Sequence, residues 1–330
     1  MGNGPEHTDL YDLIIIGAGP AGMTAALYAT RKGLRVLVIS KDIGGQVNWT
    51  TLVENYMGFE EIEGPQLMEK FRGQMQDENL TYQEDEVNRL QVQAVREGER
   101  VFGVNGKKTG THHGRAVIIA TGKRPRLLGV PGEAEFRGKG VSYCSTCDAP
   151  LFRDAAVAVV GGGNSGVQAV VDLLAVNARQ VHLITDLDLT ADQVLIDRII
   201  NDERVKVYKR HQVESISGDQ MVQGVKIVNE RGVTEELYVA GIFIEIGLDP
   251  NVDFLPDLRK NNLQEVVIDC QCRTNMEGVF AAGDVTYIPE KQIVIAAGEG
   301  AKAAIQAWKY LMKQQTTAPE TKQSPALAGV

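Results

Sequence analysis

Two glycine-rich turns, each set between a short apolar run and a helix-forming segment, constrain the fold of this chain more than any other feature. The first turn, Gly17-Ala-Gly-Pro-Ala-Gly22, follows an apolar run at residues 13–16. A helix-forming segment at 23–32 and a second apolar run at 36–39 come after it. Strand, tight turn, helix and strand in this order form a βαβ unit, which requires a parallel sheet and a right-handed crossover. We therefore predict a dinucleotide-binding site at this turn.

The residues of the first turn have separate expected tasks. Gly17 permits the tight turn, Gly19 lets the backbone approach a pyrophosphate, and Gly22 allows the helix to pack closely on the strand. Pro20 and Ala21 begin the helix, whose N-terminus presents N–H groups and a positive dipole to phosphates.

A second βαβ unit repeats the first. An apolar run at 155–160 leads into Gly161-Gly-Gly163-Asn-Ser-Gly166, a helix-forming segment at 167–176 and another apolar run at 180–184. A dehydrogenase with a single site would not need both units. Two dinucleotide sites in one chain indicate an enzyme that passes electrons between a flavin and a nicotinamide.

The residues after the second unit bear on the choice of nicotinamide. Asp186 and Asp188 follow its last apolar run, and no Lys or Arg occurs between them and Arg198. Two carboxylates would repel a 2′-phosphate. The sequence therefore favours NADH over NADPH.

The strand-like segments outside the two units predict how the chain is divided. A buried strand at 116–120 leaves its sheet at Gly122, and a strand at 239–246, ending at Gly247, is the matching return. We predict an α/β fold with two Rossmann-like dinucleotide-binding domains, each three-layered around a parallel central sheet, the second inserted in the first. The domain boundaries are 1–120 with 248–330 for the first domain and 121–247 for the second.

The last third of the chain carries three further expectations. Residues 248–250 are predicted to be a loop, and a strand at 279–282 ends in Gly283-Asp284, a glycine and a carboxylate suited to a sugar or ribitol hydroxyl. A long helix is predicted at 293–311. The polar segment 314–330 is predicted to be a disordered tail.

Composition excludes several classes of function. The 330 residues favour two domains, and 43 acidic against 34 basic residues give a net charge of −9, which argues against nucleic acid as a partner. No apolar run approaches the ~18 residues of a membrane span. Residues 1–9 contain no Lys or Arg ahead of an apolar run, as a secretory signal would, and four cysteines are too few for an extracellular framework. We expect a cytoplasmic protein.

Two of the cysteines stand as Cys144-Ser-Thr-Cys147, followed directly by Asp148. Such a pair can close a small disulfide and depresses the pKa of one thiol, and an adjacent carboxyl can act as its acid–base group. The alternative is a structural zinc site completed by Cys270 and Cys272. A CxC on a predicted strand fits zinc spacing poorly, so we interpret Cys270 and Cys272 as core residues.

The other residues that could bind a metal or a flavin give weaker signals. The histidines show no metal-ligand spacing and are interpreted as structural or surface residues: His7, His112, His113, His182 and His211. Trp49, four residues after Gly45, either borders a flavin or packs against the core.

Taken together, these motifs resemble the low-molecular-weight thioredoxin reductases, and still more closely the reductase portion of the alkyl hydroperoxide reductase flavoprotein subunit. The resemblance runs in family order from about residue 10 to 312. The matching segments are Gly17-Ala-Gly-Pro-Ala-Gly22, Gly44-Gly-Gln46, Glu54-Asn55-Tyr56, Ala120-Thr-Gly122, Cys144-Ser-Thr-Cys147-Asp148, Gly161-Gly-Gly-Asn-Ser-Gly166, Ala191-Asp-Gln193, Gly278-Val-Phe-Ala-Ala-Gly-Asp284 and Lys291-Gln-Ile293.

The resemblance implies FAD in the first domain, a nicotinamide in the second, a homodimer, and a redox-active disulfide. Cys147 would face the flavin, Cys144 would attack the partner protein, and Asp148 would be the acid–base group. With the first turn included, the candidate flavin contacts are Gly17, Gly19, Pro20, Ala21, Gly22, Gly45, Gln46, Asn55, Val87, Ala120, Thr121, Gly122, Gly283, Asp284, Lys291, Gln292 and Ile293. The candidate nicotinamide contacts are Gly161, Gly163, Asn164, Ser165, Gly166, Asp186 and Gly247.

Three departures from the family pattern matter. Ser40 replaces the acid that usually binds ribose, which leaves the strength of FAD binding open, and Lys291 replaces an arginine. The basic signature that normally follows the second βαβ unit is missing, which favours NADH.

The function predicted from the sequence is an FAD-dependent pyridine nucleotide-disulfide oxidoreductase. Electrons would pass from NAD(P)H, with NADH favoured, through FAD and the Cys144–Cys147 disulfide to an external protein. Only about ten residues precede the first strand, where the hydroperoxide-reductase flavoprotein carries thioredoxin-like modules. The acceptor is therefore expected to be a separate thioredoxin-, glutaredoxin- or peroxiredoxin-system protein.

Two alternatives differ in class. In the first, the second domain has lost nicotinamide binding and ferredoxin or another donor reduces the flavin. In the second, the chain is a non-catalytic flavoprotein that serves as a sensor, which would leave the CxxC-Asp motif without a purpose.

Overall fold

The computed structural model describes residues 10–50, 52–96 and 99–317. The chain packs into two compact units. The first comprises the described residues of Met1–Gly45, Glu69–Gly122 and Pro250–Val330, and the second comprises Gln46–Met68 and Lys123–Asp249.

The described strands, in chain order, are β1 Leu10–Ala18, β2 Val36–Ile43, β3 Leu80–Glu84, β4 Val87–Arg96, β5 Glu99–Gly106, β6 Gly110–Ile119, β7 Lys123–Pro125, β8 Val141–Ser142, β9 Ala156–Val160, β10 Gln180–Thr185, β11 Val205–Lys209, β12 His211–Gly218, β13 Val222–Asn229, β14 Thr234–Tyr238, β15 Gly241–Ile244, β16 Leu248–Pro250 and β17 Val279–Ala281. The α-helices are α1 Pro20–Thr30, α2 Gly64–Gln74, α3 Ser145–Asp148, α4 Asn164–Ala175, α5 Gln193–Ile199 and α6 Ile293–Thr317. Short 3₁₀ helices cover Gly45–Trp49 and Ala149–Phe152.

The sheet of the first unit has the order β3-β2-β1-β6-β5-β4, with β17 also paired to β6. Strands β1, β2, β3, β6 and β17 run parallel, and Leu13 of β1 lies between Val36 and Ala116. Because β1 has a parallel neighbour on each side and is covered on both faces, its centre is a continuous apolar run. The prediction of an α/β fold with two dinucleotide-binding-type units is confirmed.

An antiparallel extension of this sheet was not predicted. Strands β4, β5 and β6 pair antiparallel, and the turns at their edge are held by the buried carboxylate of Asp85. Asp85 accepts hydrogen bonds from the hydroxyl and the N–H of Thr109 and from the N–H groups of Lys108 and Glu86. Burial alone would raise the pKa of Asp85, but these hydrogen bonds outweigh it and lower the pKa to about 2.

The second unit has a parallel sheet in the order β11-β10-β9-β15-β8. Side chains on β9 alternate between two buried clusters, because successive residues of a strand point to opposite faces. Val157 and Val159 pack with Leu173 of α4, whereas Ala158 and Val160 pack with the antiparallel sheet β12-β13-β14. The unit therefore has three layers, one of which is a second sheet.

Residues 248–250 were predicted to be a loop, and this prediction is wrong. They form β16, which pairs with β7 in a two-stranded sheet. The N–H of Arg126 also donates to the carbonyl of Gly247 at 3.0 Å, and the Arg126 guanidinium contacts Asp249 at 2.9 Å. A partner strand from a distant part of the chain, which local sequence does not show, explains the difference.

Two further predictions need correction. Helix α6 continues to Thr317, so residues 314–317 of the predicted disordered tail are helical, while 318–330 lie outside the described residues. Cys270 and Cys272 lie in a turn rather than a strand, because Asp269 Oδ1 accepts from the N–H groups of Gln271 and Arg273. Cys272 is buried as expected, but Cys270 is exposed and is not a core residue.

The segment Gln46–Met68, which the sequence analysis places in the first domain, groups with the second unit. The Gln46 side chain donates to the carbonyl of Lys123 at 2.9 Å, and the Arg137 guanidinium stacks over the ring of Trp49 at 4.5 Å. The assignment of one domain to a flavin and the other to a nicotinamide stays a prediction.

Candidate active site

Cys144 and Cys147 are joined as a disulfide in the second unit. Cys144 is the residue that caps the N-terminus of the short helix α3, and its Sγ accepts a hydrogen bond from the N–H of Cys147 at 3.2 Å. Both side chains are partly buried. A backbone N–H directed at one sulfur stabilises negative charge on that sulfur, so the geometry favours Cys144 as the thiolate once the disulfide opens.

The Asp148 carboxyl is held beside this helix by Ser142 at the end of β8. The Ser142 hydroxyl donates to Asp148 Oδ2 at 2.6 Å and accepts from the N–H of Cys144 at 3.1 Å. The other carboxyl oxygen, Oδ1, is buried and has no hydrogen-bond partner within the described residues. Burial raises the pKa of Asp148, and the Ser142 hydrogen bond only partly opposes this. The site therefore favours a carboxyl that holds a proton close to the disulfide.

A second carboxyl at the site, Glu245, was missed by the sequence analysis. Glu245 follows β15, and its Oε1 accepts from the N–H of Ser145, the first residue of α3, at 3.1 Å. The Ser145 hydroxyl donates to Asp172 of α4 at 2.9 Å. Burial raises the pKa of Glu245 to about 7; the Ser145 N–H opposes the rise and the negative charge of Asp172 adds to it.

The second glycine turn lies next to Glu245. A Cβ on Gly161, whose φ is +134°, would lie 2.3 Å from the carbonyl oxygen of Glu245. A Cβ on Gly166 would lie 2.0 Å from the carbonyl oxygen of Gly161. Glu245 thus contacts the disulfide helix through its side chain and the glycine turn through its backbone. This arrangement places the two predicted functional elements of the second unit side by side.

The start of α4 has the form of a phosphate cradle. Gly163 caps the helix, and no side chain in the described part of the chain bonds to the free N–H groups of its first turn. The side chains of Asn164 and Ser165 are exposed, and Asn164 exchanges two hydrogen bonds with Asp192. Asp186 is exposed just beyond the end of β10. These residues fit a dinucleotide at the N-terminus of α4.

Gly247, the last predicted nicotinamide contact, lies at the start of β16. Its φ is +108°, a conformation that favours glycine. The atoms nearest to a Cβ on Gly247 would be those of the Arg126 side chain, at 3.5 Å and beyond.

The first glycine turn has the same construction in the first unit. A Cβ on Gly17 would lie 2.3 Å from the carbonyl oxygen of Ala120, and a Cβ on Gly22 would lie 1.9 Å from that of Gly17. In front of Gly19 no described atom lies within 4 Å. Helix α1 begins at Pro20 with Ala21, and no side chain of the described residues caps it. The tight turn, the close helix packing and the open space at Gly19 fit the pyrophosphate of FAD.

Two other predicted flavin residues converge on this turn. A Cβ on Gly45 would lie 3.9 Å from the Cα of Gly19, and a Cβ on Gly283 would lie 2.9 Å from the Cβ of Ala21. The N–H of Gly283 donates to the buried carboxylate of Glu299 at 2.7 Å. Glu299, on α6, was missed by the sequence analysis, because nothing in its local sequence marks it as a partner of Gly283.

Several predicted flavin residues are held by partners that the sequence did not reveal. Asn251 bonds to Thr121 through both its carbonyl and its side chain, and its N–H donates to the carbonyl of Gly122. The Lys291 ammonium donates to the carbonyls of Thr286 and Ile288 and lies 3.3 Å from Glu265.

The remaining predicted flavin residues lie at the ends of elements or in the second unit. Val87 is buried at the start of β4, Ile293 begins α6, and Asp284 and Gln292 are half-buried in the segment before that helix. Asn55 is exposed and groups with the second unit, as Gln46 does.

Ser40 and Trp49, which the sequence analysis left open, have defined surroundings. The Ser40 hydroxyl accepts from the N–H of Ala18 at 3.0 Å, at the point where β1 leads into the first turn. Trp49 is 39% exposed beneath Arg137, so it is not a core residue.

Neither a metal cluster nor a membrane helix is found in the described part of the chain. No group of three or more His, Cys, Asp or Glu side chains there could hold a metal ion. None of the described helices is both long and apolar enough to cross a bilayer. His7 lies outside the described residues.

The geometry of two glycine cradles and one redox-active disulfide agrees with the comparisons with known proteins. The profile of the pyridine nucleotide-disulphide oxidoreductase family matches residues 11–309. The chain belongs to this family, and the resemblance predicted from the sequence is confirmed.

Relatives of known name agree with this placement. The chain is 38% identical over 315 residues to an alkyl hydroperoxide reductase flavoprotein of Escherichia coli K12, an alignment that covers 93% of this chain and 60% of that protein. It is 38% identical over 327 residues to a protein named NADH dehydrogenase from Ferdinandcohnia aciditolerans, covering 96% of this chain and 62% of the relative. The chain thus spans about three fifths of the length of these relatives.

Solved structures of similar fold are thioredoxin reductases. That of Streptococcus pyogenes has a TM-score of 0.87 and 35% identity, over 92% of this chain and 99% of the other. That of Giardia duodenalis has a TM-score of 0.85 and 30% identity, over 92% and 100%.

Proposed function

We propose that this protein is an FAD-dependent disulfide reductase in which NADH is the preferred donor and the Cys144–Cys147 disulfide passes the electrons to an external protein. The observation that carries the proposal is the disulfide itself, with a proton-holding carboxyl, Asp148, fixed beside it by Ser142. The neighbouring glycine turn at Gly161 belongs to the same unit.

The two cysteines would have different tasks. Reduction of the disulfide breaks the S–S bond and leaves two sulfurs that share two electrons and two protons. The N–H of Cys147 stabilises a thiolate at Cys144. Cys144 would attack the acceptor's disulfide and form a mixed disulfide, and Cys147 would then attack Cys144 Sγ and release the acceptor as a dithiol. The family resemblance assigns Cys147 to the side of the flavin, in agreement with this order.

Asp148 would hold and return the proton. Its buried Oδ1 favours the protonated form, and the short bond from Ser142 fixes the orientation of the carboxyl. A carboxyl of raised pKa can give a proton to a leaving thiolate and take one back when the disulfide forms again.

The two glycine turns would hold the cofactors. We assign FAD to the turn at Gly17, with Gly19, Gly45 and Gly283 around its phosphates, and a nicotinamide dinucleotide to the turn at Gly161. When bound, FAD supplies the exchange of a hydride for two single electrons or a thiolate pair that the protein's own side chains lack. The preference for NADH rests on Asp186 beside the second turn and is in line with the name of one relative, NADH dehydrogenase.

The acceptor is proposed to be a thioredoxin-, glutaredoxin- or peroxiredoxin-system protein. The names of the relatives support this class: structural neighbours are thioredoxin reductases, and one relative belongs to an alkyl hydroperoxide reductase. A homodimer, expected from the resemblance, is part of the proposal and can be measured by light scattering of the purified protein.

Anaerobic rapid mixing of the flavin-loaded protein tests the donor. We expect NADH to bleach the flavin absorbance faster, and at lower concentration, than NADPH. If neither nicotinamide reduces the flavin and reduced ferredoxin does, the donor in this proposal is wrong and the ferredoxin alternative is right.

The acceptor step is tested with the Cys144→Ser variant and a thioredoxin as the probe. Flavin content and flavin reduction by NADH should match the wild type, whereas thioredoxin reduction should be lost. Full turnover of thioredoxin by Cys144→Ser would refute the role of the disulfide.

A further inference from the structure

Two cations lie at the edge of the second unit where the sequence showed none. Strands β10 and β11 are parallel neighbours, and Lys209 pairs in register with Thr185. The end of β11 therefore lies beside Asp186 and Asp188, although 21 residues of chain separate Asp188 from Lys209. Arg210, with a φ of 56°, turns the chain from β11 into β12 and keeps its side chain at the same edge.

Asp188 is paired with both cations. Its Oδ1 lies 3.4 Å from the Lys209 ammonium, and its Oδ2 lies 3.8 Å from the Arg210 guanidinium. Arg210 also lies 3.8 Å from Glu230. The side chains of Asp188, Lys209 and Arg210 are 63%, 50% and 60% exposed, so these ion pairs are weak and a competing anion can replace the carboxylate.

This edge is where a dinucleotide's adenosine ribose is bound in βαβ folds, since the residue after the second strand contacts the 2′-position. Asp186 occupies that position and suits a 2′-hydroxyl. Lys209 and Arg210 are the side chains that suit a 2′-phosphate, and Asp188 neutralises them.

We propose that Asp188 sets the dinucleotide preference of this protein by occupying Lys209 and Arg210, and that without its charge the two cations recognise a 2′-phosphate. The proposal deepens the proposed function, because it rests on the second glycine turn being a nicotinamide dinucleotide site. It assigns to Asp188 a role in rejecting NADPH through its neighbours, in addition to direct repulsion of the phosphate.

The expected size of the effect follows from Coulomb's law. A phosphate monoester carries roughly −1.5 to −2 charges at neutral pH. Removal of one carboxylate ~5 Å from it in a water-exposed site strengthens binding by roughly 10-fold. Because exposed charges are screened, the gain should shrink as salt is raised.

The test compares two nucleotides that differ only by the 2′-phosphate. Binding of 5′-AMP and of adenosine 2′,5′-bisphosphate is measured by calorimetry on the flavin-loaded wild type and on Asp188→Asn. We expect the preference for the bisphosphate over 5′-AMP to rise roughly 10-fold in Asp188→Asn. The kcat/KM for NADPH relative to NADH should rise with it.

Two further variants separate the proposed cause from a general change of charge. Asp219→Asn removes the same charge at the far end of the eight-residue strand β12, roughly 26 Å away at 3.3 Å per residue, and should leave the preference unchanged. Asp188→Asn combined with Lys209→Gln and Arg210→Gln should lose the gain.

The outcomes distinguish this proposal from the proposed function. An unchanged preference in Asp188→Asn, or an equal gain in the triple variant, would overturn the role of the two cations while leaving the dinucleotide site in place. Failure of both nucleotides, NADH and NADPH to bind any variant would overturn this inference together with the nicotinamide part of the proposed function.

Discussion

Replacement of Glu245 by Gln should stabilise the protein, and increasingly so as the pH rises. Glu245 is partly buried, accepts from the N–H of Ser145 and has a pKa raised from 4.5 to about 7 by burial, with Asp172 adding to the rise. A carboxyl whose pKa is raised on folding costs stability when it ionises. The cost is absent below the unfolded pKa, grows between the two pKa values, and is complete above the folded pKa.

The magnitude follows from the two pKa values. One pKa unit corresponds to about 1.4 kcal/mol, so a rise from 4.5 to about 7 gives a full cost of about 3 kcal/mol at pH 8. At pH 5 the cost is below about 1 kcal/mol. Gln keeps an oxygen that can accept from Ser145 and has no charge, so Glu245→Gln should recover most of this free energy at pH 8 and little at pH 5.

Thermal unfolding of the flavin-loaded protein at pH 5 and pH 8 measures the difference. For a unit of this size about 1 kcal/mol shifts the Tm by roughly 2–4 °C, so the rise at pH 8 should be roughly 6–12 °C. Glu236→Gln, which removes an exposed carboxyl from β14, is the control and should change stability by less than about 0.5 kcal/mol. A Glu245→Gln protein no more stable than wild type at pH 8 would refute the reasoning.

Four other substitutions give separate results. Asp85→Asn should lower stability by about 2 kcal/mol at pH 7, because the folded pKa of Asp85 lies below that of the unfolded chain; equilibrium unfolding should show the difference shrinking between about pH 4 and pH 2, and its persistence there would contradict the assignment. Asp148→Asn should slow acceptor reduction by roughly 10²–10⁴-fold while NADH still reduces the flavin, and unchanged turnover would exclude it as the proton donor. Gly22→Ala, which would place a methyl 1.9 Å from a backbone carbonyl, should abolish flavin loading, seen as loss of the flavin absorbance in the purified protein. Gly166→Ala, with the corresponding distance of 2.0 Å, should weaken NADH binding in a calorimetric titration while the flavin stays bound, so normal NADH affinity would contradict the site.

The sequence predicted those parts of the fold that depend on local pattern. The spacing of Gly17, Gly19 and Gly22 is required by backbone contacts within one turn, and the structure shows each close approach except at Gly19, where a ligand would fit. The Cys144–Cys147 pair with Asp148 is likewise a local motif. Such features can be predicted because all the participating residues are neighbours in sequence.

Features that depend on contacts between distant segments were missed. Glu245 reaches Ser145 across 100 residues, and Lys209 comes beside Thr185 only through the parallel pairing of β10 and β11. The end of α6 was misplaced for another reason. After Leu311 the apolar period stops, but Lys and Gln are good helix formers, so the helix continues to Thr317 without a buried face to mark it.

The central claim is that electrons from NADH reach the Cys144–Cys147 disulfide, and an anaerobic titration of the flavin-loaded protein with NADH tests it most directly. FAD and one disulfide each take up two electrons, so complete reduction of the wild type should consume about two equivalents of NADH per flavin and release two thiols that react with an alkylating reagent. The Cys144→Ser, Cys147→Ser double variant should consume about one equivalent. If wild type and double variant consume the same amount of NADH and the wild type shows no new thiols, the disulfide is not part of the electron path and the proposed route is wrong.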